Sequence, residues 1–251
     1  MIFIKLQKYL QQLGYSRRKA DEIVFNGKVM VNDKKVIEPW YNVKEGDKIT
    51  IGEKTQIVKL KEEFVYYVLN KPKGYVSSLY DPKEKNTLKK LIKNIKEPVK
   101  PAGRLDKDVT GVLILTNDGD LINVLTSARY EVEKVYIAKV KGRVKKTELS
   151  KLKNGVVEEG DYLVCKDVSI IEMGFDYTIL KIVMIKGKKH EVKRLFKHIG
   201  HEVVELRRIS HGPVNVSLVP NPGQIRKIEG RVLKELLKLK KLKIKKNQKN
   251  S

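Results

Sequence analysis

Asp106, closing the run Gly103-Arg104-Leu105-Asp106, is the carboxylate on which a catalytic reading first falls, although in isolation an aspartate after a Gly-containing turn is more often a turn or cap acceptor. The run follows Pro101-Ala102 and precedes an apolar stretch that ends in Thr116-Asn117-Asp118-Gly119. An aspartate beside a Gly-containing turn has two physical uses. It accepts hydrogen bonds from the turn or from a helix start, or it serves as a nucleophile or base. Other chemistries have less support. The single cysteine, Cys165, excludes an internal disulfide and a cysteine-rich zinc site, and reads as a small core or surface thiol. His190, His198, His201 and His211 lack a carboxylate at ligand spacing with two of them on one helical face, so no metal is expected.

The charge says more about partners than about chemistry. Lys and Arg number 54 against 30 Asp and Glu, a formal net charge of +24 that points to a polyanion. No apolar run approaches the roughly 18 residues a membrane span needs. The basic residues are spread over many segments instead of one amphipathic helix, which excludes a membrane-surface role. The start, Met1-Ile2-Phe3-Ile4-Lys5-Leu6, is too short and wrongly flanked for a signal peptide, so a cytoplasmic protein is expected.

Several elements must position these residues. Leu6, Leu10 and Leu13 share a helical face, and Gly14 stops that helix. Ser16 can cap a second helix that opens with Arg17, Arg18 and Lys19. Cations there oppose the helix dipole, at a cost of a few tenths to about 1 kcal/mol, unless a phosphate sits at that end. A turn at Asn26-Gly27-Lys28, a hairpin through Val31-Asn32-Asp33-Lys34 and a strand after Gly46 complete a small module. Its order of elements, with Ser16-Arg17-Arg18-Lys19-Ala20, Asn26-Gly27-Lys28-Val29 and Val31-Asn32, resembles the S4 RNA-binding module. That resemblance implies contacts from Arg17, Arg18, Lys19 and Lys28 to RNA phosphates, the alternative being a solvated charged face. Residues 1–52 are assigned to this module and 53–60 to a linker.

In residues 61–237 the pattern predicts strands at Phe64–Leu69, Tyr75–Leu79, Gly111–Leu115, Val132–Val140, Val164–Glu172, Tyr177–Ile185 and Glu202–Ile209. Asn70-Lys71-Pro72-Lys73-Gly74 reads as a turn and Leu88–Ile95 as a helix. Val192, Leu195, Phe196 and Ile199 have helical spacing, so residues from about His190 to Ile199 form an amphipathic helix with Lys189, Lys193, Arg194 and Lys197 on its polar face. A last helix begins near Glu229, and residues 238–251, Lys-rich, are expected to fray into a disordered, non-specific polyanion tether.

Gly103-Arg104-Leu105-Asp106 with Thr110-Gly111, Thr116-Asn117-Asp118-Gly119, Lys134-Val135-Tyr136 and His190-Glu191-Val192-Lys193-Arg194 resembles the ribosomal RNA pseudouridine synthases, type A for the small ribosomal subunit, type B for the large one. The order and spacing of these motifs are specific, and the similarity fades only in the tail. It implies an α+β chain, a small α/β S4-like module followed by a larger catalytic domain with a mixed, mainly antiparallel sheet. It also implies conversion of uridine to pseudouridine in ribosomal RNA or pre-ribosomal particles, by a monomer, with no cofactor. By resemblance, Asp106 is the catalytic aspartate, Tyr136 stacks on the uracil, and Lys193 pairs with Asp106 to offset desolvation of its carboxylate. Arg104 and Arg194 fall on the RNA. Glu191 stands where the family usually has Gln. Asp81-Pro82, and Gly212-Pro213 through Gly223-Gln224-Ile225-Arg226, are more similar to the large-subunit type. The alternatives are a small-subunit target or a non-catalytic ribosome-assembly protein.

Overall fold

The computed structural model describes residues 3–59 and 64–248. The chain divides into two compact units, the first ending at Phe64 and the second starting at Val65.

In the first unit β1 (Phe3–Lys5) runs into α1 (Leu6–Gln12), and α2 (Arg17–Phe25) follows. Strands β2 (Val29–Val31), β3 (Lys34–Val36), β4 (Asn42–Lys44), β5 (Lys48–Ile51) and β6 (Lys54–Ile57) come next. The four-stranded sheet has the order β3-β2-β5-β6, and β1 pairs with β4. Leu6 and Leu10 of α1 and Ala20, Ile23 and Val24 of α2 close over Val29, Val31 and Ile49 of the sheet. Ser16 caps α2 as its sequence predicts, its Oγ accepting the Lys19 N–H at 3.2 Å. The expected linker 53–60 is corrected here. Gly52, with φ +59°, opens a tight turn, and Lys54 to Ile57 pair with Ile51 to Lys48 as β6. Polar alternation hid this strand because all four of its residues are exposed at the sheet edge. The expected start of the second domain, 61–63, lies outside the described residues.

The second unit is built on one nine-stranded sheet. Its strands are β7 (Tyr66–Lys71), β8 (Lys100–Pro101), β9 (Thr110–Thr116), β10 (Lys134–Lys141), β13 (Asp167–Met173), β14 (Tyr177–Met184), β15 (Val203–His211), β16 (Val214–Asn215) and β17 (Ile225–Lys227). A separate hairpin pairs β11 (Val156–Glu158) with β12 (Asp161–Leu163). The helices are α3 (Leu88–Leu91), α4 (Gly119–Thr126), α5 (Lys146–Asn154), α6 (Glu191–His198) and α7 (Gly230–Gln248). The main path is β13-β14-β10-β15-β9-β7-β17, all antiparallel except β15 beside β9. Alternate residues of β9 enter different cores: Leu113 and Leu115 join one with Leu195 and Phe196 of α6, and Val112 and Ile114 join another with Leu121 of α4 and Leu236 of α7. The sheet is therefore covered on both faces, as its near-continuous apolar run Val112–Leu115 requires.

Three local expectations change. Tyr75–Leu79 is no strand but a bent segment with one bridge, Val76 to Thr87: the Val76 N–H donates to the Asn86 carbonyl at 3.0 Å, the Ser78 carbonyl accepts the Leu88 N–H at 2.9 Å, and the Ser77 hydroxyl bonds to Leu105. Helix α3 stops at Leu91, short of Ile95. The last helix does not fray at residue 238 but continues to Gln248, because Leu236 is buried, Leu237 and Leu239 pack on the core and Lys240 bonds to Asp118 at 2.7 Å; residues 249–251 of the expected tail lie outside the described residues. Among the described residues no helix is long and apolar enough to cross a membrane.

Candidate active site

The Gly103–Asp106 run forms the loop between β8 and β9, and its backbone is pinned from outside. The Ser77 hydroxyl donates to the Leu105 carbonyl at 2.7 Å and accepts the Leu105 N–H at 2.9 Å. The Gly74 N–H donates to the Lys107 carbonyl at 2.7 Å, and a turn closes from the Val109 N–H to the Asp106 carbonyl at 3.1 Å. Asp106 is thus held on a rigid loop with its carboxylate partly exposed. It lines a cavity of about 240 Å³ together with Arg104, Tyr136, His190, Lys193 and Arg208. The pocket brings together Asp106, Tyr136, Lys193 and Arg104 from segments that the sequence separates by up to 89 positions, from 104 to 193.

The expected Asp106–Lys193 ion pair is not made. Lys193 Nζ bonds both oxygens of Asp108, at 2.8 and 2.7 Å. The turn after Asp106 carries Asp108 toward α6, and a carboxylate offering both oxygens captures the ammonium. Burial raises the Asp108 carboxyl, but the Lys193 hydrogen bond and charge outweigh it and hold the group below its usual range. Asp106 faces His190 instead, with Nε2 at 3.6 Å from Oδ1. His190 reaches this position because it precedes α6 in a left-handed conformation, φ +52°.

Arg194 is also corrected. Its side chain is 11% exposed, bonds Asp161 at 2.7 Å through Nη1 and the Glu158 carbonyl through Nη2, and ties α6 to the β11–β12 hairpin. It supports the fold and has little surface left for RNA. Arg104, by contrast, is exposed and has no ion-pair partner among the described residues.

Behind the cavity lies a layer of buried charge that local sequence does not reveal. Arg208 is 2% exposed, donates through Nε to the Val112 carbonyl at 2.7 Å and leaves Nη2 unbonded. Lys134 donates to the Val132 carbonyl at 3.2 Å, and burial, helped by the Arg208 charge, pulls its ammonium down to about 8. Lys71 is not in a turn but ends β7, fully buried, and donates to the carbonyls of Pro72 and Tyr75 at 3.0 and 2.7 Å. Burial lowers it to about 8 as well, against the opposing charges of Asp108 and Asp106. Glu191 is buried; its Oε2 accepts the Lys188 N–H at 3.1 Å, Oε1 is unbonded, and burial raises its carboxyl. Unsatisfied buried charge of this kind is costly and concentrates at functional sites.

Strand register explains how Arg208 arrives there. Tyr136 lies opposite Arg208 and Lys134 opposite His211, with a bulge between Val135 and Tyr136. The bulge puts Arg208 and His211, three positions apart on β15, on the face that carries Lys134 and Tyr136. On the other side Gly111 of β9 lies beside Arg208, where a Cβ would meet the Arg208 carbonyl oxygen at 2.1 Å.

In the first unit Arg17, Arg18, Lys19 and Lys28 are all exposed. Lys19 is paired with Glu22 at 2.7 Å. Arg17 opens the nine-residue α2 and Lys28 follows its end, so the two ends of the helix are about 14 Å apart. Among the described residues no group of three His, Cys, Asp or Glu could hold a metal.

Comparison with known proteins agrees with this architecture. The RNA pseudouridylate synthase family model matches residues 65–198 and the S4 domain model residues 4–49. The ribosomal large subunit pseudouridine synthase B of Bacillus subtilis is 38% identical over 216 residues, 84% of this chain and 87% of that protein. An RNA pseudouridine synthase of Aquifex aeolicus is 36% identical over 240 residues, 95% of each chain. A crystal structure of a pseudouridylate synthase superposes with a TM-score of 0.63 at 26% identity, covering 93% of this chain and 99% of that one. With an S4 domain ahead of a catalytic unit whose pocket holds Asp106 and Tyr136, this chain belongs to the RNA pseudouridylate synthase family and is a pseudouridine synthase.

Proposed function

We propose that the chain converts uridine to pseudouridine in large-subunit ribosomal RNA, with Asp106 as the reacting carboxylate and no cofactor. The large-subunit target rests on the Bacillus subtilis relative, whose name gives that substrate. The observation that carries the chemistry is the pocket in which Asp106 and Tyr136 meet over a floor of buried cations.

The overall reaction needs no oxidant, reductant or co-reactant. The C1′–N1 bond breaks, a C1′–C5 bond forms, C5 loses a proton and N1 gains one. A carboxylate can attack C1′ or otherwise help the C1′–N1 bond to break, and the loosened uracil must turn while held. Tyr136, on the strand that floors the pocket, offers the flat face on which an unpaired base stacks. Arg104, exposed at the rim, and Arg17, Arg18 and Lys28 of the S4 unit supply phosphate contacts. Lys193 acts through Asp108, fixing the turn that follows Asp106. The enzyme works as a monomer in the cytoplasm, where its ribosomal substrate is assembled.

Mapping pseudouridine in ribosomal RNA from cells with and without the gene should remove a modification from the large-subunit RNA; an unchanged map rejects that target. In purified protein, Asp106→Asn should abolish isomerisation while RNA binding persists, and residual turnover by this variant would take the reacting role from Asp106.

A further inference from the structure

We infer that the outer face of α7 is a second RNA-binding surface, a rigid basic ridge that docks on the phosphate backbone beside the catalytic unit. On the outward side of α7, Arg231, Lys234, Lys238 and Lys241 are exposed. Their spacing of three, four and three residues puts all four on one helical stripe about 15 Å long. A solvated helix face ordinarily mixes signs to gain i,i+4 pairs. This stripe is almost wholly cationic, and the acidic neighbour it meets is Glu235, 2.8 Å from Lys238.

The helix is fixed in place, so the ridge is preformed. Leu236 is fully buried, and Val232, Leu233, Leu237 and Leu239 pack against the core formed with α4. Lys240 bonds at 2.7 Å to Asp118, which caps α4 and accepts the Tyr66 hydroxyl at 3.0 Å. This anchoring decides between two polyanions. A basic amphipathic helix binds an anionic membrane by sinking a free apolar face into it, and beneath the ridge, over residues 231–241, the apolar face of α7 is already occupied by the core. A ridge of cations over a buried apolar face fits RNA phosphates, which need charge and no apolar surface. The assignment rests on the chain acting on RNA, but not on which RNA it modifies.

The test uses the full chain and an RNA hairpin of arbitrary sequence, so that it reads phosphate contacts whether or not large-subunit RNA is the substrate. The variant R231Q/K234Q/K238Q/K241Q should bind with a plot of log affinity against log salt shallower by up to about 3.6, each of the four lost contacts contributing about 0.7 to 0.9. Glu235→Gln, which frees Lys238, should tighten binding and steepen the plot. This single change also gives a decisive result if the fourfold variant fails to fold. An unchanged slope in the fourfold variant, or no tightening with Glu235→Gln, overturns the assignment. Loss of binding to phosphatidylglycerol vesicles with an unchanged RNA slope would give the ridge to lipid and also overturn it.

Discussion

At the scale of single residues, the site depends on charges that the fold keeps away from water. Lys134 is the clearest case, because burial and the neighbouring Arg208 charge bring its ammonium to about 8 from an ordinary 10.5. Below about pH 8 both folded and unfolded chains hold the proton, and the folded state carries the whole cost of a buried charge. Between about 8 and 10.5 the unfolded chain holds more protons than the folded one, so stability climbs with pH. Replacing Lys134 with Met should therefore flatten the rise in urea midpoint between pH 8 and 10, leaving a smaller climb from Lys71. Equal slopes in the two proteins would mean that Lys134 is not held at a lowered value. None of this is readable from Lys134 in sequence, where it is one lysine in a strand of alternating residues. Asp106 owes its catalytic reading to the family resemblance, and the Gly-turn and apolar strand that frame it make only its place in the fold legible. Its partner is not legible: His190 and Lys193 are three positions apart on the same segment, and only the left-handed backbone at His190 decides which of them faces it.

At the scale of elements, periodicity carries most of the fold. The helix at Glu191–His198, the strand at Thr110–Thr116 and the hairpin at Val29–Val36 all come from apolar spacing that local sequence displays. What local sequence does not display is pairing between distant strands, and the site depends on it. The β15 bulge and the parallel seam between β15 and β9 bring Arg208 beneath Tyr136, and neither has a local signature. Gly111 holds that seam together. It has φ +108°, and a Cβ there would lie 2.1 Å from the Arg208 carbonyl oxygen. Gly111→Ala should cost on the order of 3 kcal/mol, from a strained backbone and a clash that only strand separation relieves. Urea unfolding measures this directly, and a loss under about 1 kcal/mol would show that the seam opens without penalty. The same reasoning explains β6, whose exposed residues hide a strand that hydrogen bonding to β5 makes plain.

At the scale of the whole molecule, a net charge of +24 is distributed over separate surfaces, and affinity for RNA depends on how many phosphates each surface meets. In the S4 unit, Arg17 and Arg18 stand at the N-terminus of α2 without an acidic partner among the described residues, whereas Lys19 is bonded to Glu22. Cations at that end oppose the helix dipole, so the position is better satisfied with a phosphate bound than without one. Changing Arg17, Arg18 and Lys28 together to Gln should accordingly do two opposite things. Unfolding of the free protein should shift by a few tenths of a kcal/mol toward greater stability, because the dipole conflict of Arg17 and Arg18 is removed while Lys28, beyond the C-terminal end of α2, contributes little to the dipole. RNA binding should weaken, and its salt dependence should become shallower by about 2 to 3, because as many as three phosphate contacts are lost. A solvated charged face predicts the first change without the second, so an unchanged salt slope would leave Arg17, Arg18 and Lys28 with no part in binding RNA. A slope that falls by the same amount when the α7 residues are already neutralised would show that the two surfaces meet different phosphates, since independent contacts add.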